Sequence, residues 1–361
     1  MTSMKAEARL RLATPEHYLH ALCEHLRERA DAVELSPDGG RVSFPFGVAT
    51  ITVWAKGLDL RAEGPDLTSL AYVKGGLAAQ LQSFAPAERP EIVWTGDGCA
   101  DETPPNFREL QVVDATDVTP RTRRVTLTGS DLGRFKHGGL HVRLLIPPGA
   151  VDPQWPRLGR NGLLVFPEGE RSLALRTYTI RRLDAAAGRI EIDFVLHEGA
   201  CPGSDWARRA MRGNRIGMLG PGGGEAGRAD WYLLVGDETG LPAIGRILEE
   251  LPATARGVVL VEVADAGEEL PLARPDKVEL RWLHRHGAPA GTSRLLAEAA
   301  CSVEIPRDGR VFVWAGTEFA TFRLLRTHWR DTCGLGKREH LAMAYWRRGR
   351  SEDEHWARAE E

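Results

Sequence analysis

The sequence predicts a multidomain protein in which a small α+β region, an antiparallel β-barrel and a parallel α/β domain follow one another. Residues 1–95 read as a helix, several short strands and a second helix, which together suit one compact α+β core. Residues 107–226 contain many short strands separated by glycine- and proline-rich turns, as in a barrel. In residues 227–361 strands alternate with helices, which implies a parallel sheet. We expect a linker at residues 96–106, where glycine, proline and acidic residues accumulate.

Composition limits the classes of function that this chain can have. The chain has 361 residues, of which 42% are hydrophobic and 27% charged, as in a soluble globular protein. Its formal net charge of −3 gives no global positive field for binding nucleic acid. No apolar run approaches the roughly 20 residues that span a bilayer, and the N-terminus lacks the apolar core of a signal peptide. We therefore expect a cytoplasmic protein.

The cysteines exclude two kinds of metal site. No two of them lie within a CxxC motif, so the spacing fits neither a zinc knuckle nor a ferredoxin-type iron–sulfur cluster. If electrons move through this protein, an organic cofactor must carry them. The scattered cysteines are Cys23, Cys99, Cys201, Cys301 and Cys333.

The N-terminal region begins with a helix that Thr14-Pro15-Glu16 is expected to cap. Apolar residues recur along it at helical spacing, and strands are expected at residues 33–35, 40–46, 48–54 and 58–62 before a second helix at 66–84. His17, His20 and Cys23 on the first helix could ligate a metal. Surface histidines and a core cysteine explain the same pattern, so we expect no metal site.

The barrel region contains a strand expected at residues 171–182, and its segment Arg176-Thr177-Tyr178-Thr179-Ile180-Arg181 has a chemistry that suits a flavin. Alternation places Arg176, Tyr178 and Ile180 on one face. The guanidinium can pair with a pyrophosphate, the ring can lie against the isoalloxazine or ribityl chain, and a hydroxyl can bond a ring nitrogen. A half-exposed sheet face would explain the same residues. The other barrel strands are expected at residues 110–117, 123–128, 141–146, 189–196 and 215–219, with a proline-rich loop at 147–170 outside the barrel.

A second segment, His197-Glu198-Gly199-Ala200-Cys201-Pro202-Gly203-Ser204-Asp205-Trp206-Ala207, follows the strand at 189–196. It turns on Gly199, Pro202 and Gly203 and is expected to start a helix at 204–212 with Ser204 as N-cap. Backbone N–H groups at such a helix start form an anion site. We therefore expect one segment to hold a flavin's rings and the other its phosphates.

The α/β domain places three glycine-containing turns where ligands bind in parallel sheets, past the carboxyl ends of strands. In Gly236-Asp237-Glu238-Thr239-Gly240-Leu241-Pro242-Ala243, Asp237 or Thr239 can cap the next helix. In Trp314-Ala315-Gly316-Thr317-Glu318, the glycine allows backbone to approach a flat ring. Gly220-Pro221-Gly222-Gly223, between the two domains, matches neither a GxGxxG fingerprint nor a P-loop. Strands are expected at residues 231–236, 257–263, 277–283 and 310–315, and helices at 239–250, 293–300 and 318–332.

Residues 107 to about 350 resemble the siderophore-interacting protein family, or ferric-siderophore reductases, which have the ferredoxin-reductase-like architecture of an FAD-binding barrel and an NAD(P)-binding α/β domain. The likeness rests on the segments quoted above together with Tyr345-Trp346-Arg347-x-Gly349. The first 95 residues resemble a small domain of uncharacterised function that is found fused to such reductases. Phe44-Pro45-Phe46-Gly47 and Leu22-Cys23-Glu24-His25 carry that second likeness.

The resemblance implies non-covalent FAD in the barrel, NAD(P)H in the α/β domain and reduction of siderophore-bound iron(III), with no catalytic side chain. The implied flavin-binding residues are Arg176, Tyr178, Thr179, His197, Gly203, Ser204 and Trp206, with Gly220 at the junction of the domains. The implied residues along the nicotinamide path are Asp237, Glu238, Thr239 and Pro242, with Gly316, Glu318, Tyr345 and Trp346 on the far side. Basic residues that could attract an anionic ferric siderophore are Lys136, Arg143, Arg181 and Arg347.

Three alternatives stay open at this point. The chain could be another flavin oxidoreductase of the same fold, reducing free flavin, a quinone or a protein partner. It could also be a siderophore-binding protein without catalysis. The weakest alternative is an iron sensor or metal carrier that uses the histidines of the first helix. NADH, NADPH and ferredoxin are all open as electron donors.

Overall fold

The computed structural model describes residues 3–28, 30–149, 152–197, 199 and 201–352. Two compact units can be distinguished by their internal contacts. One contains residues 1–107 and 151–172, and the other contains residues 108–150 and 173–361. The proline-rich segment expected to lie outside the barrel therefore groups with the N-terminal unit.

The N-terminal region forms an antiparallel sheet and two helices, close to the prediction. The sheet has six strands in the order β2-β3-β4-β5-β1-β6. Strand β1 was not predicted, because its inward positions hold only Ala6, Ala8 and Leu10 and give a weak apolar alternation. The elements are β1 (Met4–Arg11), α1 (Pro15–Arg27), β2 (Ala32–Ser36), β3 (Gly39–Phe44), β4 (Gly47–Trp54), β5 (Gly57–Gly64), α2 (Leu67–Phe84) and β6 (Thr95–Gly96).

The middle region forms the predicted barrel. Seven strands make one sheet in the order β12-β9-β15-β7-β8-β14-β13, with antiparallel pairing between neighbours such as β12 and β9. The elements are β7 (Phe107–Thr119), β8 (Thr122–Thr128), β9 (His141–Ile146), β12 (Ala174–Thr179), β13 (Arg182–Asp184), β14 (Arg189–Val195), α3 (Pro202–Arg209) and β15 (Arg215–Gly222). The strands β10 (Arg157–Leu158) and β11 (Leu164–Val165) form a separate two-stranded antiparallel sheet in the segment that groups with the N-terminal unit.

The C-terminal region forms the predicted parallel sheet. Its five strands follow the order β18-β17-β16-β19-β20, and every neighbouring pair is parallel. Strand β20 was not predicted, because its apolar run, Leu341 to Trp346, contains two alanines and no β-branched residue and is therefore a weak strand signal. The elements are β16 (Trp231–Gly236), α4 (Leu241–Glu250), β17 (Arg256–Val263), β18 (Val278–His284), α5 (Leu295–Cys301), β19 (Val311–Glu318), α6 (Phe319–Thr327) and β20 (His340–Trp346).

The core of the N-terminal unit explains its helix pattern. The apolar stripe of α1 and the buried face of α2 pack on one side of the sheet, and Cys23 lies within that core. The carboxylate of Asp66 accepts a 2.8 Å hydrogen bond from the Ser69 backbone N–H and so caps α2. His17 and His20 are exposed on the opposite side of α1. Among the described residues, no group of three or more His, Cys, Asp or Glu side chains is placed to hold a metal ion.

The unit that contains the barrel and the parallel sheet has three clusters of buried hydrophobic residues, and their packing fixes where the strands end. Phe194, Leu144 and Met218 are fully buried in the barrel, and Trp314 and Leu234 in the parallel sheet. Residues in regular, buried strands are held rigidly, so the loops at their ends present side chains in fixed places. None of the helices in the described part of the chain is long and apolar enough to cross a membrane.

Candidate functional site

The strand predicted to hold a flavin, β12, lies at one end of the barrel sheet and pairs with β9. Arg176 is buried, and its Nη1 donates a 2.7 Å hydrogen bond to the carbonyl of Leu175. Thr177 faces the other way and its Oγ1 donates to the carboxylate of Glu352 at 2.7 Å. Thr179 at the end of the strand is buried as well. Both Arg176 and Thr179 are thus held within the protein rather than on a solvated sheet face.

Tyr178 brings β12 against the start of α3. Its ring lies 4.4 Å from that of Phe194 between centroids, and Phe194 lies 5.5 Å from Trp206. A Cβ atom added to Gly203 would come within 2.1 Å of the Tyr178 hydroxyl oxygen. Only glycine leaves room for this approach. The structure therefore brings Tyr178, Gly203 and Trp206 close to one another.

The helix after β14 starts earlier than predicted. Helix α3 begins at Pro202, with Cys201 as its N-cap, because proline is favoured in the first turn of a helix. The prediction that Ser204 is the N-cap is therefore wrong. Ser204 is fully buried inside the first turn, where its Oγ accepts a 3.3 Å hydrogen bond from the backbone N–H of His197. His197 is exposed, and Glu198 and Ala200 of the same segment lie outside the described residues.

The first turn of α3 favours negative charge. Burial raises the pKa of the Cys201 thiol, but hydrogen bonds from the His197 side chain and from the backbone N–H groups of Ser204 and Gly203 outweigh that effect. The thiol pKa therefore lies below its ordinary value, as at other helix N-termini. The same N–H groups could equally hold the oxygens of a phosphate.

These observations fit a flavin dinucleotide. Strand β12 carries a buried guanidinium and, two residues on, an aromatic ring, and α3 begins with a turn that favours negative charge. The contact between Tyr178 and Gly203 holds the two elements together. Arginine pairs with phosphate oxygens through two parallel N–H bonds, and an aromatic ring can stack on a flat cofactor. Arg176, Tyr178 and the first turn of α3 would therefore hold the group.

In the parallel sheet, Asp237 joins the carboxyl ends of three strands. Its buried carboxylate accepts hydrogen bonds from the backbone N–H and Oγ1 of Thr239, from the Glu318 N–H at 3.1 Å and from Trp346 Nε1 at 2.9 Å. Burial raises the pKa of Asp237, although the Thr239 and Trp346 donors oppose that effect. Neither Asp237 nor Thr239 caps α4 as predicted, because the N-cap of that helix is Gly240, which has no side chain to accept a bond. Asp237 instead orders the turn before the helix.

Glu238 is part of a buried ion-pair cluster that was not predicted. Both oxygens of its carboxylate accept from Arg285, at 2.6 and 2.9 Å, and the carboxylate of Glu262 lies 3.6 Å from the same guanidinium. Burial lowers the pKa of Arg285, but the two carboxylates outweigh this and hold that pKa above its ordinary value. Arg285 directly follows β18, so the rule that ligands gather at carboxyl strand ends could have found it.

The remaining residues predicted at this edge line the ends of β19 and β20. Glu318 caps α6 by accepting from the Ala320 N–H, and it also accepts from the Arg348 N–H at 3.2 Å. A Cβ atom at Gly316 would lie 2.8 Å from the Tyr345 ring, so the glycine makes room for that ring. Pro242 is buried in the first turn of α4, and Gly220 lies in β15 with a φ of +142°.

His141 was not predicted to matter, yet it connects the barrel to the parallel sheet. Its ring meets that of Tyr345 edge-on, with 4.9 Å between centroids, and the Tyr345 hydroxyl is hydrogen-bonded to His141 Nε2. Burial raises the pKa of Tyr345, and the nearby Thr179 side chain opposes this effect. Burial, and then the nearby charge of Arg246, lower the pKa of His141 to about 4. The imidazole is therefore neutral at physiological pH.

Stability should fall between neutral and mildly acidic pH because of His141. In the unfolded chain its pKa returns to the ordinary 6.5, whereas in the folded protein it is about 4. Between these values the unfolded chain binds more protons, so lowering the pH from 7 to 5 should destabilise the folded protein by about 2 kcal/mol through this group. Denaturant unfolding of the wild type and of His141→Gln at both pH values would measure it. An equal pH dependence of the two proteins would contradict the assignment.

The basic residues predicted to attract an anionic substrate have four different surroundings. Lys136 is exposed, and Arg143 is half-buried opposite Thr177 in the β9–β12 pair. Arg181 pairs with Glu249 of α4 at 2.7 Å. Arg347 lies over the ring of Phe319, 4.5 Å from its centroid. These contacts do not place the four cations in one cluster.

Family models match three consecutive stretches of the chain. Residues 7–95 match an uncharacterised protein family conserved in bacteria, residues 111–225 match the siderophore-interacting FAD-binding domain, and residues 229–349 match the siderophore-interacting protein family. The FAD predicted for the barrel region is thus confirmed at the level of its domain family.

Individual relatives agree with these matches. The ferric vibriobactin reductase ViuB of Vibrio cholerae is 31% identical over 255 residues, which cover 68% of this chain and 91% of the relative. A siderophore utilization protein from T. fusca has a solved structure that is 40% identical, with a TM-score of 0.59 over 70% of this chain and 96% of that chain. A ferredoxin-NADP+ reductase from Plasmodium falciparum, 11% identical, shares the fold at a TM-score of 0.50 over 68% of this chain and 98% of its own. The predicted ferredoxin-reductase-like fold class is confirmed.

Proposed function

Because this chain belongs to the siderophore-interacting protein family, we propose that it is an FAD-dependent ferric-siderophore reductase. In this proposal electrons pass from NAD(P)H through FAD to siderophore-bound iron(III), and iron(II) is released in the cytoplasm. The relative from Vibrio cholerae is named a ferric vibriobactin reductase, which supports the reaction class. The matching FAD-binding domain supports the cofactor.

One structural observation carries the proposal further than family membership does. Tyr178 and Gly203 are in contact, beside a buried Arg176 and a helix start at which the thiol pKa of Cys201 is lowered. These features supply a stacking ring, a phosphate-pairing cation and an anion-favouring turn within two connected elements. Thr179, His197, Ser204 and Trp206 complete this proposed flavin site, with Gly220 at the junction of the two domains.

The chain's own residues have binding roles in this chemistry, and no side chain needs to act as acid, base or nucleophile. When bound, FAD supplies the ability to take up two electrons as a hydride and to give them up one at a time. Iron(II) binds hard anionic oxygen ligands more weakly than iron(III), so reduction of the substrate becomes release. The protein must therefore hold the flavin rigidly and keep an anionic complex close to it.

We propose that the electron donor binds at the carboxyl edge of the parallel sheet. Asp237 and Glu238 are engaged in internal bonds, so they would shape the turn that meets the donor, with Thr239 and Pro242 beside it. Gly316, Glu318, Tyr345 and Trp346 would close the far side. This edge is where ligands bind in parallel sheets, and we therefore place a nicotinamide nucleotide here rather than ferredoxin.

We propose that the basic residues Lys136, Arg143 and Arg347 contact the anionic substrate. Arg181 would contribute less to this attraction, because its ion pair with Glu249 offsets its charge.

We also propose the domain division 1–95, 107–226 and 227–361 with a linker at 96–106, which the ranges of the three family models support.

A spectroscopic cycle tests the function. The purified protein should show flavin absorption bands, NADH or NADPH should bleach them under anaerobic conditions, and a ferric siderophore should restore them while a ferrous chelator captures iron(II). Free flavin and a quinone serve as comparison acceptors. Bleaching with reoxidation only by the comparison acceptors would indicate another flavin oxidoreductase, and a colourless protein that takes up no FAD would indicate a binding protein.

A further inference from the structure

One hydrogen-bonded group crosses from the barrel to the parallel sheet at the end of the proposed flavin strand. Thr179 on β12 and His141 on β9 are directly paired in the sheet register. Side chains of directly paired residues lie on the same side of a sheet, so the two reach one point together. At that point the hydroxyl of Tyr345, which comes from β20, is hydrogen-bonded to His141 Nε2. The Thr179 side chain is near enough to this hydroxyl to oppose the rise that burial causes in the pKa of Tyr345.

The fold makes room for this contact with two glycines. A Cβ atom at Gly223 would lie 2.0 Å from His141 Nδ1, and one at Gly316 would lie 2.8 Å from the ring of Tyr345. Gly223 has a φ of +84°, which L side chains rarely adopt. Glycine is therefore needed at both positions to leave space for the rings of His141 and Tyr345.

The group carries no net charge at physiological pH. His141 faces Arg246 of α4 across the junction, and Tyr345 faces Asp237 at the end of β16. Burial lowers the pKa of the imidazole, and it raises the pKa of the phenol well above its ordinary value. Neutral donors and acceptors can fix the direction of a neighbouring hydroxyl without adding a charge beside it.

We propose that His141 and Tyr345 are positioning residues that hold the Thr179 hydroxyl in the direction in which it meets the flavin ring. The inference rests on the proposed function, in which Thr179 contacts FAD. It adds that the affinity for FAD depends on a contact between the barrel and the parallel sheet, since Tyr345 belongs to the latter. Neither residue touches the reacting atoms in this account.

The test is a double-mutant cycle on FAD binding to flavin-free protein, followed by flavin fluorescence. Tyr345→Phe and His141→Leu should each raise the Kd for FAD about tenfold, because each removes the same hydrogen bond. The double variant should also bind about tenfold more weakly, not about a hundredfold, since the two changes are coupled. His141→Gln can still bond the hydroxyl and should stay within about threefold of the wild type.

A matched control separates positioning from general loss of stability. Tyr232→Phe removes another buried tyrosine hydroxyl of the same sheet, one that accepts a 2.8 Å hydrogen bond from the Ala229 N–H. It should leave FAD affinity unchanged, while its Tm falls as much as that of Tyr345→Phe. Unchanged affinity in both single variants, additive losses, or an equal loss in Tyr232→Phe would overturn the inference. A wild type that binds no FAD would instead overturn the proposed function.

Discussion

Replacement of Arg176 by alanine is expected to weaken FAD binding about 100-fold, through the loss of charge-assisted hydrogen bonds to the pyrophosphate. The guanidinium is buried beside Leu175, whose carbonyl accepts one of its N–H groups, so it is already oriented before a ligand arrives. Little side-chain entropy is then lost on binding, which strengthens the contact. Fluorescence titration of flavin-free protein with FAD measures the effect.

Two further variants make this result interpretable. Arg182→Ala removes an exposed arginine from β13, the next strand along the chain, and should leave the Kd for FAD unchanged. Arg176→Lys keeps the charge but loses the two-pronged geometry, and it should fall between the wild type and Arg176→Ala. If Arg176→Ala binds FAD as tightly as Arg182→Ala does, Arg176 does not contact the cofactor.

The second large effect concerns stability. Asp237→Ala should lower the free energy of unfolding by about 3–5 kcal/mol, because several buried donors lose their acceptor at once. Those donors belong to Thr239, Glu318 and Trp346, which lie at or next to the carboxyl ends of β16, β19 and β20. Urea unfolding followed by tryptophan fluorescence would measure the change.

The control for Asp237 is an aspartate at the other end of the same strand. Asp230 pairs with Arg310 at the surface, 3.0 Å apart, and exposed pairs contribute little because water and salt screen them. Asp230→Ala should therefore unfold at nearly the same urea concentration as the wild type. Similar losses in the two variants would show that the Asp237 contacts add no more than a surface pair.

The sequence predicted those parts of the fold whose signal is local. Helix α1 follows from apolar spacing, and the order of β16, α4 and β17 follows from alternating buried strands and helices. The sequence does not predict β1 or β20, because β1 buries mainly small alanines and the apolar run of β20 contains two alanines and no β-branched residue. The predicted start of α3 is two residues late, because serine is a favoured N-cap residue but proline in the first turn starts the helix at Pro202, after Cys201.

The candidate site shows a similar limit. Arg176, Tyr178 and Gly203 could be named because they lie in two short segments with recognisable chemistry. His141 and Tyr345 are 204 positions apart, and only the register of β9 with β12 and the packing of β20 bring them together. The cluster of Arg285 with Glu238 and Glu262 likewise depends on parallel strand order, which spacing along the chain does not reveal.

The central claim is that a flavin is held between β12 and the first turn of α3. The most direct measurement is an equilibrium titration of flavin-free protein with FAD, comparing the wild type with Gly203→Leu. We expect one FAD to bind per wild-type chain, and binding to be lost in the variant, because its side chain would occupy the place of the Tyr178 hydroxyl. Absence of saturable binding to the wild type, or equal binding by a folded Gly203→Leu protein, would contradict the account.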